Sequence, residues 1–295
     1  MDKEALKQFV LDNPKLVSMK PAGDGIFVLK YKKTVFYDNL WNDFLEECRG
    51  TIVDDDFNLI TYPFRKIYNY GVEEKAPVLP PETIVEAYRK VNGFMVAVTW
   101  HNNDLLISTT GSTDSDFVAM ARELIDQERY SAVCKQWHGT TFLFEACHRN
   151  DPHIVPEQEG MYLLGYREKS WDSATVPDPK ILRMFEVEFD TIPVEHYQMT
   201  MGELLETVKT VRHEGFVLYT ADGVSAKIKS PYYLTSKWVA RNPRTDKLVN
   251  MQSDIKKNLD EEYYNLIDAI RENIVEYTAM DEQARLTWVR NYMEQ

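Results

Sequence analysis

Lys90 stands ahead of a glycine, Gly93, and an apolar run, Phe94-Met95-Val96-Ala97-Val98. A lysine in that setting has the makings of a nucleophile. The run would form a strand and fix the turn on a rigid support. Glycine lets the backbone come close to a ligand. Burial beside other cations lowers an amine's pKa and frees its lone pair. An amine that attacks phosphorus needs a metal to neutralise the phosphate and fixed cations to hold it in line. Downstream, Glu214 precedes Gly215-Phe216-Val217, and Lys227-Ile228-Lys229 follows. Strand alternation places Lys227 and Lys229 on one face. Two like charges side by side repel unless an anion lies between them, and a triphosphate is such an anion. Glu145 lies in the apolar strand Phe142-Leu143-Phe144-Glu145-Ala146. A carboxylate there needs a ligand or a salt-bridge partner, because unpaired burial is costly. Taken singly, each feature also suits a loop lysine, a salt bridge or a solvated strand face.

The elements that must position these groups follow from periodicity. Residues 2–12 read as a short amphipathic helix. Residues 25–30 and 35–37 read as strands, and 50–53 with 58–62 as a hairpin around Asp54-Asp55-Asp56. Residues 76–81 form an extended connector. Strands are predicted at 83–88, 94–99, 105–108, 141–146, 161–166 and 182–189, with a turn at 101–104. Helices are predicted at 114–127 and 202–210. Residues 215–219 and 224–229 flank Ala221-Asp222-Gly223, a hairpin turn. Glycine is absent after Gly223 and helical spacing dominates, with helices at 259–277 and 281–293. The expected division is a domain over 1–235 and a small all-helical domain over 236–295.

The net charge of -13 argues against a protein that coats nucleic acid, which would need a basic face. An enzyme touching a few phosphates remains compatible if its cations converge in one cleft. No stretch is apolar enough for a membrane span, and the polar N-terminus carries no signal peptide. Cys48, Cys134 and Cys147, without metal-type spacing, suggest reduced thiols in a cytosol-like compartment.

Over roughly residues 35–235 the chain resembles the ATP-dependent RNA ligases of the T-even phage RNA ligase 1 family, which are covalent nucleotidyltransferases. Lys90-Val91-Asn92-Gly93 resembles the nucleophile motif. Val35-Phe36-Tyr37 with Asp43-Phe44-Leu45-Glu46-Glu47-Cys48-Arg49-Gly50 is similar to the segment ahead of it, with one extra residue in the string. Arg49 would contact the nucleotide, and its planar fork suits phosphate or ribose. Glu145 matches a glutamate that meets the ribose or the metal. Met161-Tyr162-Leu163-Leu164-Gly165-Tyr166 resembles the adenine-flanking strand, where Tyr166 stacks on the base or belongs to the core. Glu214 matches the metal-associated carboxylate, and Lys227 and Lys229 match the last motif. Any one match is weak, whereas the set in this order is specific.

The resemblance implies an α+β fold. Antiparallel sheets with flanking helices would form the nucleotidyltransferase domain, followed by a small all-α domain. It implies ATP as co-substrate, Mg²⁺ or Mn²⁺, and a lysyl-AMP intermediate on Lys90. Arg49, Asn92, Gly93, Glu145, Tyr166, Lys227 and Lys229 would bind the nucleotide, and Glu214, Asn92 and Glu145 the metal. The partners would be RNA 5'-phosphate and 3'-hydroxyl ends in RNA repair, with broken tRNA among the candidates. A monomer in the cytoplasm is expected, the host's if the chain is phage-encoded. Two departures stand out. Asn92 replaces the motif's aspartate. Thr109-Thr110 precede Gly111-Ser112 where the family has a lysine, leaving Lys135 and Arg122 as candidate replacements. These departures motivate the alternatives: a ligase-like nucleotide-binding protein with incomplete activity, or a ligase acting on DNA ends or a protein.

Overall fold

The computed structural model describes residues 1–23, 25–173, 177–242 and 263–293. Its strands form three sheets. The first orders β1 (Val17–Pro21), β2 (Ile26–Tyr31), β3 (Arg49–Asp54) and β4 (Leu59–Thr61) as β1-β2-β3-β4. Helix α1 (Lys3–Asp12), capped by the Asp2 carboxylate, packs Leu6 and Val10 against Leu29 and Val53 of this sheet.

Two larger sheets build the cleft. One orders β10 (Gly160–Glu168), β9 (Thr140–Cys147), β7 (Phe94–His101) and β8 (Asp104–Ser108), all antiparallel. The β7–β8 turn takes Asn102 and Asn103 through positive φ, at 49° and 61°, as two-residue hairpins require. The other orders β11 (His196–Thr200), β6 (Ile84–Arg89), β12 (Gly215–Tyr219), β13 (Ser225–Lys229) and β5 (Tyr68–Asn69). Only its β13–β5 pair is parallel.

Alternation decides which faces meet. Val98, Phe142 and Phe144 back onto α4 (Asp116–Leu124), α5 (Gln127–Gln136) and α6 (Pro179–Phe189). Val85, Ala87, Phe216 and Leu218 back onto Leu204 and Val208 of α7 (Met201–Thr210). Removing these faces from water supplies the main drive for the layering, at roughly 25 cal/mol per Å² of apolar surface. The opposite residues, Tyr88, Val217, Tyr219 and Lys227 from one sheet and Met95, Glu145 and Leu164 from the other, then line a shared cavity.

The last helices are α8 (Pro231–Arg241), α9 (Tyr264–Glu272), α10 (Ile274–Ala279) and α11 (Glu282–Met293). Tyr233, Val239, Ile267, Ile270, Tyr277 and Leu286 form their core, and Ile154 and Val155 from the β9–β10 loop enter it. The boundary expected at 235 falls within α8. Part of the helix expected over 259–277 lies outside the described residues, and the rest is divided at Asn273 between α9 and α10.

Three other expectations differ from the structure. Residues 35–37 belong to helix α2 (Lys33–Tyr37), from which Val35 reaches the core. Both edges of β2 are already taken by β1 and β3. Residues 182–189 are helical in α6. The Asp178 side chain caps the backbone N–H groups of Lys180 and Ile181, Pro179 opens the first turn, and Leu182, Phe185 and Phe189 are buried at helical spacing. The helix predicted over 114–127 ends at Leu124, and Asp126 caps a second helix, α5.

Candidate active site

Lys90 directly follows β6, and its backbone N–H donates to the Gly215 carbonyl at 2.8 Å. The β6–β12 ladder therefore carries Lys90 to Glu214, the residue just ahead of β12. Gly215 has a φ of +130°, and a Cβ there would lie 2.0 Å from the Ile228 carbonyl oxygen. Only glycine permits this junction. Gly93 has a structural task of its own. A Cβ on it would lie 2.3 Å from the Ala146 carbonyl oxygen, so its bare Cα lets β7 approach β9. Its N–H donates to Glu145 Oε1 at 3.0 Å and holds that carboxylate in the cleft.

Glu214 is the electrostatic hub, with a side chain only 3% exposed. Lys90 Nζ lies 2.9 Å from its Oε2, and Lys229 Nζ lies 3.2 Å from its Oε1. Asn92 Nδ2 donates to Oε2 at 2.8 Å. Burial alone would raise the Glu214 pKa, but Lys90 and Lys229 hold it below the usual carboxylate range. Burial likewise works against the Lys90 ammonium, yet Glu145 and Glu214 keep its pKa above the ordinary lysine value. Glu145 is shifted upward, first by burial, against the pull of Lys90. In this state Lys90 holds its proton, and a nucleophilic Lys90 requires the two carboxylates to be neutralised.

The cavity between the sheets has a volume of about 150 Å³. Phe64, Met95, Leu163, Leu164, Val217 and Tyr219 contribute apolar wall, and Arg49, Lys90, Glu145 and Lys227 contribute ionisable groups. Arg49 Nη1 donates to the Arg65 carbonyl at 3.4 Å, and burial holds its guanidinium below its usual value. Among the described residues neither the Arg49 nor the Lys227 side chain has a carboxylate partner. Burial, with Arg49 and Lys66 adding repulsion, lowers the Lys227 pKa to about 7. These two half-buried cations, without a carboxylate in contact, suit an anion.

The Lys227 shift has a sign that can be measured. Between about 7 and the ordinary 10.5, the unfolded chain holds a proton that the folded chain has released. The burden of this lysine on stability is therefore full below pH 7 and lifts as pH rises through that window. An anion beside Lys227 reverses the release. Pyrophosphate binding at pH 8 is expected to take up close to one proton, about what full recharging of a single amine requires. Calorimetry in buffers of different ionisation enthalpy reads this uptake. It should vanish in Lys227→Met, and buffer-independent heats from the parent would contradict it.

Two expected site residues take other places. Tyr166 packs edge-on against Phe185 at 5.3 Å, on the helical side of its sheet. A bulge between Leu163 and Gly165 inserts Leu164 and reverses the alternation beyond it, so Leu164 lines the cavity instead. The Asn92 acceptor is already engaged by the backbone. Its Oδ1 accepts from Val155 N at 3.1 Å, while its amide nitrogen faces Glu214. A backbone N–H can meet only the oxygen and a carboxylate only the NH₂, so both partners fix this orientation. Among the described residues no group of three His, Cys, Asp or Glu side chains is set to hold a metal. Glu145 and Glu214 remain as two oxygen donors flanking Lys90, a set that Mg²⁺ completes with water and substrate phosphate.

The residue run 63–73 carries site structure that motif reading missed. Phe64 and Ile67 line the cavity. Glu73 ties this segment together, pairing with Lys66 and accepting from Asn69 N and Nδ2. β5 then runs beside β13, and Tyr70 N donates to the Lys227 carbonyl at 2.8 Å, fixing the lysine's backbone. The available signal was the cluster of aromatic and basic residues in Phe64-Arg65-Lys66-Ile67-Tyr68-Asn69-Tyr70. Neither Lys135 nor Arg122 lines the cavity. The lysine that reaches Gly111 is Lys30, whose Nζ would lie 2.5 Å from a Cβ on that glycine.

A family model described as RNA ligase matches residues 47–233. Among solved structures, a protein from Aquifex aeolicus provisionally described as an ATP-dependent DNA ligase is 16% identical, with 97% of this chain and 76% of that chain covered and a TM-score of 0.56. Form 1 of an archaeal ATP-dependent RNA ligase is also 16% identical, over 96% of this chain and 75% of that chain, with a TM-score of 0.56. Comparison with curated proteins gives no match. At these identities the likeness establishes the fold, an antiparallel α+β nucleotidyltransferase architecture with a helical C-terminal region.

Proposed function

The chain belongs to the RNA ligase family, and on that premise we propose that it seals RNA ends at the expense of ATP, through a covalent AMP on Lys90. The observation that carries this reading is the cavity itself. The Lys90 amine, two half-buried cations without a carboxylate in contact and an apolar wall converge there. Lys90 Nζ attacks the α-phosphorus of ATP, forming a P–N bond as pyrophosphate leaves. The 5'-phosphate of an RNA then attacks the same phosphorus and releases Lys90. The RNA 3'-hydroxyl attacks the activated 5'-phosphate, joining the strands and releasing AMP. Dividing the reaction in this way replaces one hard step with easier ones.

Each residue has a part. Arg49 and Lys227 hold phosphate oxygens where charge develops, in a site largely shielded from water. Lys229 and Asn92 orient Glu214. A divalent cation, Mg²⁺ or Mn²⁺, bound by Glu214 and Glu145 would neutralise phosphate charge and loosen the carboxylates' hold on the Lys90 proton. The archaeal ATP-dependent RNA ligase supports ATP as the nucleotide through shared fold.

Asn92 gives this reading a sharp consequence. In Asn92→Asp the amide donor to Glu214 becomes a second carboxylate. Without metal the variant should be less stable than the parent, by about 1–3 kcal/mol for a buried group losing its partner. With metal it should need several-fold less Mg²⁺ for half-maximal lysyl-AMP formation. Superimposable Mg²⁺ curves for the two forms would contradict this role for the charge at position 92.

The function itself is tested by sealing. The full chain with ATP and Mg²⁺ should join 5'-phosphorylated RNA to a 3'-hydroxyl end and render the label resistant to phosphatase. Joining of DNA ends with no joining of RNA would overturn the acceptor.

A further inference from the structure

One surface outside the cleft runs against the charge of the whole chain. The net charge is -13, yet residues 13–37 hold Lys15, Lys20, Lys30, Lys32 and Lys33 and only one acid, Asp24. All five lysines are exposed. None is in an ion pair among the described residues. The fold gathers them. The β1–β2 register sets Ser18 against Lys30 and Lys20 against Val28, and Lys32 N donates to the Leu16 carbonyl at 2.7 Å. Helix α2 then places Lys33 three and four residues before Phe36 and Tyr37, one turn away on the same face. These two aromatics are 57% and 76% exposed, and their rings meet edge to face at 5.6 Å. The core takes only Val35 from this helix.

The surface continues into the active-site cleft. Lys30 is the cross-strand partner of Arg49, which lines the cavity. A polyanion leaving the cavity past Arg49 meets Lys30 next, and then Lys32, Lys33 and the two rings. Unpaired lysines beside exposed aromatic faces suit a strand that offers both phosphates and unstacked bases. A duplex hides its base faces, and the cores of protein interfaces are depleted in lysine.

We propose that Lys30, Lys32, Lys33, Phe36 and Tyr37 bind the single-stranded RNA leading to the end being sealed, a proposal that rests on the RNA ligase reading. The lysines neutralise phosphates, and the rings stack on bases. The test uses the full chain and a fluorescent, 5'-phosphorylated single-stranded RNA, titrated by anisotropy at several salt concentrations. F36A/Y37A should weaken binding about tenfold, the size expected for losing one stacked base. K32A/K33A should reduce the slope of log K against log salt by about 1.4, or 0.7 per phosphate contact on a single strand. A charge-reversed K32E/K33E variant gives a second arm and should bind still more weakly. All three should form lysyl-AMP at the parent rate, because none of these residues lines the cavity. If the parent seals RNA while every variant binds within twofold of it at all salts, the surface assignment fails alone. If the parent forms lysyl-AMP but neither binds nor seals RNA, the ligase reading fails with it.

Discussion

Lys90→Ala is expected to abolish AMP transfer from ATP to the protein and, with it, sealing of RNA that carries a plain 5'-phosphate. No other amine can replace Lys90 without leaving its own place: Lys229 is anchored on Glu214, and Lys227 is held by β13. The variant should still join RNA that already bears AMP on its 5'-phosphate, because that step uses the RNA 3'-hydroxyl as nucleophile. The fold should survive, since Glu214 keeps Lys229 and Asn92 as partners. Its loss of one charged hydrogen bond should cost about 1.5–3 kcal/mol. An undiminished AMP adduct in a folded variant would remove Lys90 from the reaction.

Lys227→Ala is expected to slow AMP transfer about 10²- to 10³-fold, the scale seen when one preorganised donor is removed from developing charge. The same substitution should leave the protein more stable below pH 7. No carboxylate is orphaned by it, and a partly desolvated cation with no carboxylate partner is removed. Stability and activity should therefore move in opposite directions. Activity within a few-fold of the parent would mark Lys227 as part of a solvated strand face. Lys229→Ala should differ, since it takes from Glu214 one of its two ammonium partners. It should lose stability and activity together.

Much of the cleft was legible because strand alternation is local. Residues Phe142 to Ala146 and Lys227 to Lys229 declare by period two which side chains share a face, and the sheets brought Glu145 and Lys227 to one cavity. Other features depend on contacts that local pattern does not hold. The side that Tyr166 faces turns on a single inserted residue in β10. The orientation of the Asn92 amide is set by Val155, which is remote in sequence and belongs to a loop that also enters the C-terminal core. The α6 helix did leave a signal, an Asp-Pro start and apolar residues at helical spacing, that its apolar run masked. The basic, aromatic surface on β1, β2 and α2 was hidden by the net charge, which averages over the chain what the fold concentrates.

The most direct test of the central claim is the mass of the full chain after incubation with ATP and Mg²⁺, followed by peptide mapping. The account predicts a gain of one AMP, carried by the peptide containing Lys90 and lost when 5'-phosphorylated RNA is added. No gain in mass, or an AMP mapped to any other residue, would contradict it.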